Sequence, residues 1–113
     1  MSDLTAGLAA FEAKNYTDTF KLLKPIADRK DAEAQCIVAN MYELGLGLEQ
    51  DVLEAVRYYK KSAKQGYGVA ANNLGTIFTI GNETIAVDST EAEKWYQKAR
   101  KQGFLHSPNQ SSF

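Results

Sequence analysis

The chain has 113 residues, of which 44% are hydrophobic, and these values are typical of one soluble globular domain. A formal net charge of −1, from 13 basic and 14 acidic residues, gives no overall field toward nucleic acid or an acidic membrane. The single cysteine excludes an intramolecular disulfide, and the lack of a leader-like segment or a long apolar run predicts a cytoplasmic protein with no membrane partner.

Apolar residues recur at helical spacing along most of the chain and predict six helices. In the second helix, Pro25 is expected to kink or loosen the backbone near Leu22 and Leu23. In the turn before it, Asn15 is expected to take the left-handed conformation. We place the helices at residues 4–13, 17–29, 32–44, 52–65, 69–80 and 89–102, within one domain at 1–105 that is followed by a polar tail at 106–113.

The last four predicted helices form two copies of one residue pattern. The pattern at residues 34–42 recurs 36 positions later, and the pattern at residues 51–66 recurs 37 positions later. A period in this range is typical of helix-pair solenoids, which present binding surfaces more often than catalytic pockets. The sequence therefore predicts an all-α, right-handed α-solenoid of three antiparallel helix hairpins. The recurring pairs are Ala34 and Ala70, Val38 and Leu74, Ala39 and Gly75, Tyr42 and Phe78, Asp51 and Asp88, Ala55 and Ala92, Tyr58 and Trp95, Tyr59 and Tyr96, Lys61 and Lys98, and Gly66 and Gly103.

The repeated positions suggest how the helices pack. The small residues Ala39 and Gly75 are expected to let neighbouring helices approach closely. Tyr59 and Tyr96 are expected to pack against the next hairpin. Because a single hairpin cannot bury its own apolar faces, stacking of the hairpins is expected to close the core.

Residues 32–66 and 68–103 resemble the Sel1-like repeat, whose pattern reads Ala, Leu-Gly, Tyr, Gly-x-Gly, Asp, Ala, Trp-Tyr, Lys-Ala and Gly. Residues 1–31 are similar to a tetratricopeptide-type helix pair, through Gly7, Tyr16 and the apolar face from Phe20 to Ala27. The resemblance implies a solenoid of helix pairs whose inner, concave surface binds other proteins.

Both copies depart from the family pattern. Ala39 stands where glycine is usual in the first copy, and Arg100 replaces an alanine in the second. The second copy also has an extra loop residue, and Glu83 occupies the place of the second loop glycine. One of the apolar residues Ile85 and Val87 is expected to tuck under the hairpin beside it.

The residues give little support to catalysis. His106 is the only histidine and lies in the tail, far in sequence from Cys36, so the chain indicates neither a nucleophile–base pair nor a metal site. No serine precedes a lysine at the Ser-x-x-Lys spacing. We predict no enzyme activity, no cofactor and no metal, with a small enzyme or ligand binder as one alternative.

Basic residues gather near the ends of the fourth and sixth helices, while acidic residues gather at their starts. The helix macrodipole favours this arrangement, so our first interpretation is that the pattern needs no partner. The alternative is a shallow basic ridge that contacts RNA or an acidic partner. The residues concerned are Lys60, Lys61, Lys64, Lys98, Arg100 and Lys101.

The concave face is the candidate binding site. By resemblance to tetratricopeptide modules, residues of the third and fifth helices that lie off the apolar stripe are expected to bind an extended peptide or a partner helix. Asn40 and Asn72 are expected to bond the peptide backbone. We predict a protein-binding adaptor or scaffold, and the apolar first helix leaves self-association open. The predicted partner-binding residues are Glu33, Cys36, Asn40, Glu43, Asn72, Thr76 and Thr79.

Overall fold

The computed structural model describes residues 2–103, and the regular structure in this range is six α-helices. The predicted all-α solenoid of three helix hairpins is confirmed, and each predicted helix end agrees to about one residue. None of the helices in this range is long and apolar enough to cross a bilayer. We call α1, α3 and α5 the first helices and α2, α4 and α6 the second helices of the hairpins. The helices are α1 (Asp3–Glu12), α2 (Tyr16–Asp28), α3 (Ala32–Leu44), α4 (Val52–Lys64), α5 (Gly68–Ile80) and α6 (Ser89–Lys101).

Aspartate side chains cap three of the helices. Asp31, Asp51 and Asp88 each accept a hydrogen bond from the backbone amide three residues further on, at 2.8, 3.0 and 3.0 Å. Each bond satisfies an amide that has no partner within its helix. In the first turn the left-handed residue is Lys14, with φ of 61°, and the prediction for Asn15 was wrong. The Asn15 side chain instead caps α2, a role that left-handed backbone does not suit.

The second helix continues through its proline. It runs unbroken past Pro25 to Asp28, and the Arg29 amide donates to the Pro25 carbonyl at 3.1 Å. The proline therefore does not end the helix, and the local kink remains a prediction. Leu23, on the turn before, is fully buried.

The helices pack in chain order, each against the one before and the one after. One hydrophobic core runs through all three hairpins, from Leu23 in α2 to Ala99 in α6. Glycines permit the closest contacts inside two hairpins. A Cβ on Gly7 would lie 2.3 Å from Leu23 Cδ2, and a Cβ on Gly75 would lie 2.5 Å from Tyr96 Cε1. Leu23 and Tyr96 therefore pack directly on the backbone of the first helix at these glycines, and the close approach at Gly75 is as expected.

Tyr59 and Tyr96 each contact the first helix of their own hairpin, and the prediction that they pack against the next hairpin stays a prediction. The Tyr59 hydroxyl bonds to α3, while the Tyr96 ring covers Gly75 of α5. Tyr58, one residue earlier, reaches the neighbouring hairpin, where its hydroxyl donates to Asp28 Oδ1 at 2.8 Å. Adjacent helical residues differ by about 100° in direction, so only one of two consecutive aromatic residues can face each neighbour.

Buried polar side chains also form hydrogen bonds between the first two hairpins and within the second. Gln35 Nε2 donates to the Ala27 carbonyl at 3.1 Å, and Gln35 Oε1 accepts from Gln65 Nε2 at 2.8 Å. Ser62 Oγ donates to the Ala32 carbonyl at 2.7 Å. Because buried polar groups need partners, the bond from Gln35 to Ala27 helps to define how the two hairpins stack. The other two bonds hold together the two helices of the second hairpin.

The loops after α3 and α5 differ in how closely they lie on the preceding hairpin. Gly47 has φ of 74°, and a Cβ there would lie 2.6 Å from Tyr16 Cβ, so the first loop lies tightly on the start of α2. Glu83, at the corresponding place, is exposed. Ile85 is only 9% exposed whereas Val87 is 60% exposed, so Ile85 is the residue that tucks under the hairpin.

Candidate functional site

Five of the seven predicted partner-binding residues keep accessible surface. They belong to what we call the first-helix face, the exposed side chains of α1, α3 and α5. Four are partly exposed and the fifth, Thr79, is exposed. The other four are Glu33, Asn40, Glu43 and Thr76.

Cys36 and Asn72 are buried, and the expectation that they face a partner is corrected. Each is 5% exposed, and the two occupy the same position in successive repeats. The reason is that α3 and α5 each pack between two second helices, which buries more than one stripe of side chains. Burial, reinforced by the nearby Glu33 and Glu43, raises the pKa of the Cys36 thiol to about 12, so it stays protonated at neutral pH. Asn72 Oδ1 accepts no hydrogen bond from any residue in the range 2–103.

A buried tyrosine of α4 holds two of the predicted residues. The Tyr59 hydroxyl donates to Glu43 Oε1 at 2.7 Å and accepts from Asn40 Nδ2 at 3.5 Å. Burial and the neighbouring Glu43 raise the pKa of Tyr59, so the hydroxyl keeps its proton. The tyrosine therefore orients a carboxylate and an amide that sequence reasoning treated as free side chains.

The second repeat has the same arrangement with neutral partners. The Tyr96 hydroxyl lies 3.3 Å from Thr76 Oγ1 and 3.4 Å from Thr79 Oγ1. The two threonine hydroxyls donate to the carbonyls of Asn72 and Gly75, so the Tyr96 proton is available to one of the threonine oxygens. Sequence reasoning missed both tyrosines as parts of the site, although their equivalent positions in the repeats were a usable signal.

A groove separates the C-terminal ends of α3 and α5, and we call it the α3–α5 groove. Its volume is about 180 Å³, and Glu43 and Thr76 lie on its walls. Leu44 and Ile80, which are equivalent in the two repeats, also line it and are 57% and 70% exposed. Exposed large apolar side chains that line one groove are typical of interaction surfaces. Sequence reasoning missed both residues because an apolar residue at helical spacing predicts burial, whereas both end their helices exposed.

A second cleft adjoins this groove at the loop that carries the extra residue. The loop cleft has a volume of about 490 Å³, and Gln50, Val52 and Asn82 line both cavities. Asn82 Oδ1 accepts from the amides of Thr84 and Ile85, both at 2.7 Å, which holds the loop in shape. The departure from the family pattern at Glu83 therefore coincides with a loop that stands off α4 and leaves open space.

Charge is sorted between the two sets of helices. The first helices carry four acidic residues and no lysine or arginine, while the second helices carry ten basic and five acidic residues. Glu33 and Glu43 are the acidic residues of α3. The first-helix face is therefore an acidic and neutral surface with apolar anchors, and it suits a partner that carries positive charge.

Chemical groups for catalysis are sparse in the described part of the chain. The Cys36 thiol is buried, and His106 lies outside residues 2–103. Within that range no group of three histidine, cysteine or acidic side chains is placed to hold a metal ion.

The fold and its recurring helix pairs define a helical-repeat solenoid, and the comparisons agree with this class. A model of the Sel1 repeat matches residues 32–67 and 68–104, which together cover more than half of the sequence. The chain belongs to the Sel1 repeat family. No curated protein was found to match it in sequence.

Two solved structures are similar to the chain over most of its length. A Sel1 repeat protein from Oxalobacter formigenes is 34% identical, with a TM-score of 0.81 over 87% of this chain and 40% of that one. A protective antigen present in uropathogenic Escherichia coli strains, which displays an SLR fold, is 31% identical. Its TM-score is 0.75 over 78% of this chain and 19% of its own. The chain thus spans less than half the length of either protein.

Proposed function

We propose that the chain is a non-catalytic interaction module that binds a peptide or helix of a partner protein in the α3–α5 groove. Sel1 repeats typically mediate protein–protein interactions, and this supports a protein as the partner. In helix-pair solenoids the first helices line the inner surface, and the position of the groove between two first helices supports a site on that surface. A cytoplasmic location is part of the proposal, and the free, buried thiol of Cys36 is compatible with it.

The observation that carries the proposal is the pair of exposed apolar residues beside a carboxylate. Leu44 and Ile80 offer a place for an apolar side chain of the partner, and Glu43, held by Tyr59, lies next to them. The first helices hold no basic residue that would repel a cation. We therefore propose a partner segment that combines an apolar anchor with lysine or arginine.

A selection from a phage-displayed library of random peptides tests this specificity. Peptides selected on the immobilised chain are expected to be enriched in lysine or arginine next to a large apolar residue. Their affinities are then measured by calorimetry against the chain and its variants. The double variant Leu44→Asn, Ile80→Asn is expected to weaken binding by about tenfold or more, since both side chains are anchors in the groove.

Leu53→Asn is the matched control, because Leu53 is also 56% exposed but lies on the loop cleft, outside the groove. This variant is expected to bind as the unchanged chain does. Selected peptides without positive charge, or equal weakening by Leu53→Asn and the double variant, would contradict the groove assignment. All three side chains are exposed, so circular dichroism is expected to show unchanged folding.

A further inference from the structure

A second groove lies between α4 and α6, on the helices that the proposed function does not use. We call it the lysine groove, because Lys64, Lys94, Lys98 and Lys101 line it. Its volume is about 460 Å³, and Trp95 forms part of its wall. Two glutamine side chains complete the lining, so it also offers amide groups for hydrogen bonding.

The helix macrodipole does not account for this amount of positive charge. The C-termini of α4 and α6 together supply the equivalent of about one negative charge. Four lysines exceed that, even after one carboxylate is counted, since Glu91 pairs with Lys94 at 3.1 Å. The groove therefore keeps a surplus of about two positive charges once its own neighbours are balanced.

The remaining lysines of the groove have no acidic partner in the described structure. Lys64, Lys98 and Lys101 form no ion pair with any residue from 2 to 103, whereas the nearby Glu93 is already held by Arg100 at 2.9 Å. Like charges brought together without counter-charges repel one another and gain from a bound anion.

We propose that the lysine groove binds a short acidic segment of a protein, rich in aspartate or glutamate. A nucleic acid is disfavoured because the four aromatic residues of α4 and α6 are buried, with Trp95 only 3% exposed, so bases find no platform for stacking. The rest of the second-helix surface offers a long polyanion little more attraction. Apart from these four lysines, α2, α4 and α6 carry six basic and five acidic residues, which nearly balance. The surplus positive charge is therefore confined to the groove and matches a short acidic segment better than a long strand.

Fluorescence anisotropy with a labelled peptide of alternating aspartate and glutamate tests the proposal at low ionic strength. The peptide is expected to bind, to dissociate as salt is added, and to change the emission of Trp95, the only tryptophan in the chain. The double variant Lys98→Gln, Lys101→Gln is expected to weaken binding by about tenfold. A peptide of asparagine and glutamine in the same order is expected not to bind.

The double variant Lys14→Gln, Lys21→Gln removes the same charge from exposed residues of the first hairpin and is the matched control. It is expected to leave the affinity unchanged. Failure of the acidic peptide to bind, or equal weakening by both double variants, would overturn the proposal. Tighter binding of a single-stranded oligonucleotide of equal charge would also overturn it, in favour of nucleic acid. None of these outcomes depends on the α3–α5 groove.

Discussion

At the scale of single residues, two buried side chains at equivalent positions differ in how well their surroundings suit them. Cys36 is a small, weakly polar side chain, and burial leaves it protonated. Asn72 stands at the same place in the next repeat, and its buried amide oxygen has no hydrogen-bond partner among residues 2–103. An unpaired polar atom in a protein interior costs about 1–3 kcal/mol, so the second repeat carries a local loss of stability that the first avoids.

Replacement of Asn72 by leucine is expected to stabilise the protein. Leucine has the same branched shape and no polar atom, so the free energy of unfolding is expected to rise by about 1 kcal/mol. Chemical denaturation followed by circular dichroism measures the change. Asn73→Leu is the control, because Asn73 is partly exposed and gains only the small difference in helix propensity. An equal gain in both variants would mean that the Asn72 oxygen is not a liability.

The buried thiol of Cys36 makes stability depend on alkaline pH. The thiol ionises from about pH 9 in the unfolded chain but keeps its proton to about 12 in the folded protein. Its contribution is therefore complete below pH 9 and is lost as the pH rises toward 12. When the pH is raised from about 8 to about 11, the free energy of unfolding of Cys36→Ala is expected to fall by about 2 kcal/mol less than that of the unchanged chain. Urea unfolding of both proteins at the two pH values measures this difference, and an equal fall in both would contradict it.

At the scale of helices and loops, the two repeats share the same helix arrangement but differ in how tightly their loops pack on the preceding hairpin. Gly47 allows its loop to lie against Tyr16, whereas the longer loop with Glu83 leaves the loop cleft. Position 47 therefore needs glycine for two reasons: a side chain there would collide with Tyr16, and the backbone is left-handed. The second loop has no corresponding close contact with the hairpin before it. This explains how the second copy lost the family's glycine without losing the fold.

The two loop positions are therefore expected to respond differently to alanine. Gly47→Ala places a Cβ 2.6 Å from Tyr16 Cβ at φ of 74°, and is expected to lower the free energy of unfolding by about 1–3 kcal/mol. Glu83→Ala, at the exposed equivalent position, is expected to change it by less than about 0.5 kcal/mol. Thermal or urea unfolding of both variants provides the comparison. A large loss at Glu83, or none at Gly47, would show that the loops are not distinguished in this way.

Helix positions could be predicted because their signals are local. Asp31, Asp51 and Asp88 precede helices that they cap, and Gly45 and Gly81 follow helices that they end. Accessibility could not be predicted as well, because it depends on which neighbours cover a helix. Each first helix of the later hairpins has neighbours on both sides, so residues at the edge of the apolar stripe are covered too.

The same limit applies to the candidate site. Glu43 and Thr76 could be found from their place off the stripe, and the structure brings both to the α3–α5 groove. Leu44 and Ile80 could not, since an apolar residue in helical register predicts burial. Both are the last residues of their helices, and their exposure depends on how the hairpins stack and not on the residue pattern alone.

At the scale of the whole molecule, the core is continuous although the contacts run only between successive helices. Apolar side chains link α2 to α6 without interruption, and the buried hydrogen bond from Gln35 to Ala27 reinforces the first joint between hairpins. A three-hairpin solenoid of this size has too few units for its ends to unfold separately at little cost. We therefore expect cooperative unfolding.

Leu23→Ala tests this cooperativity from one end of the chain to the other. Leu23 is fully buried in the first hairpin, and its truncation is expected to lower the free energy of unfolding by about 2–5 kcal/mol. Trp95, in the last hairpin, reports on the opposite end through its fluorescence. The urea midpoint from Trp95 is expected to shift as far as that from circular dichroism. A shift of the circular dichroism alone would indicate hairpins that melt independently.

The first helices carry a net charge of −4 and the second helices a net charge of +5, so we expect an electric dipole between the two sets of helices. At its isoelectric point of about 5.8 the net charge of the protein is zero, but one side still carries positive and the other negative charge. Copies that meet in dilute salt therefore attract through opposite sides, and solubility is expected to increase when salt is added.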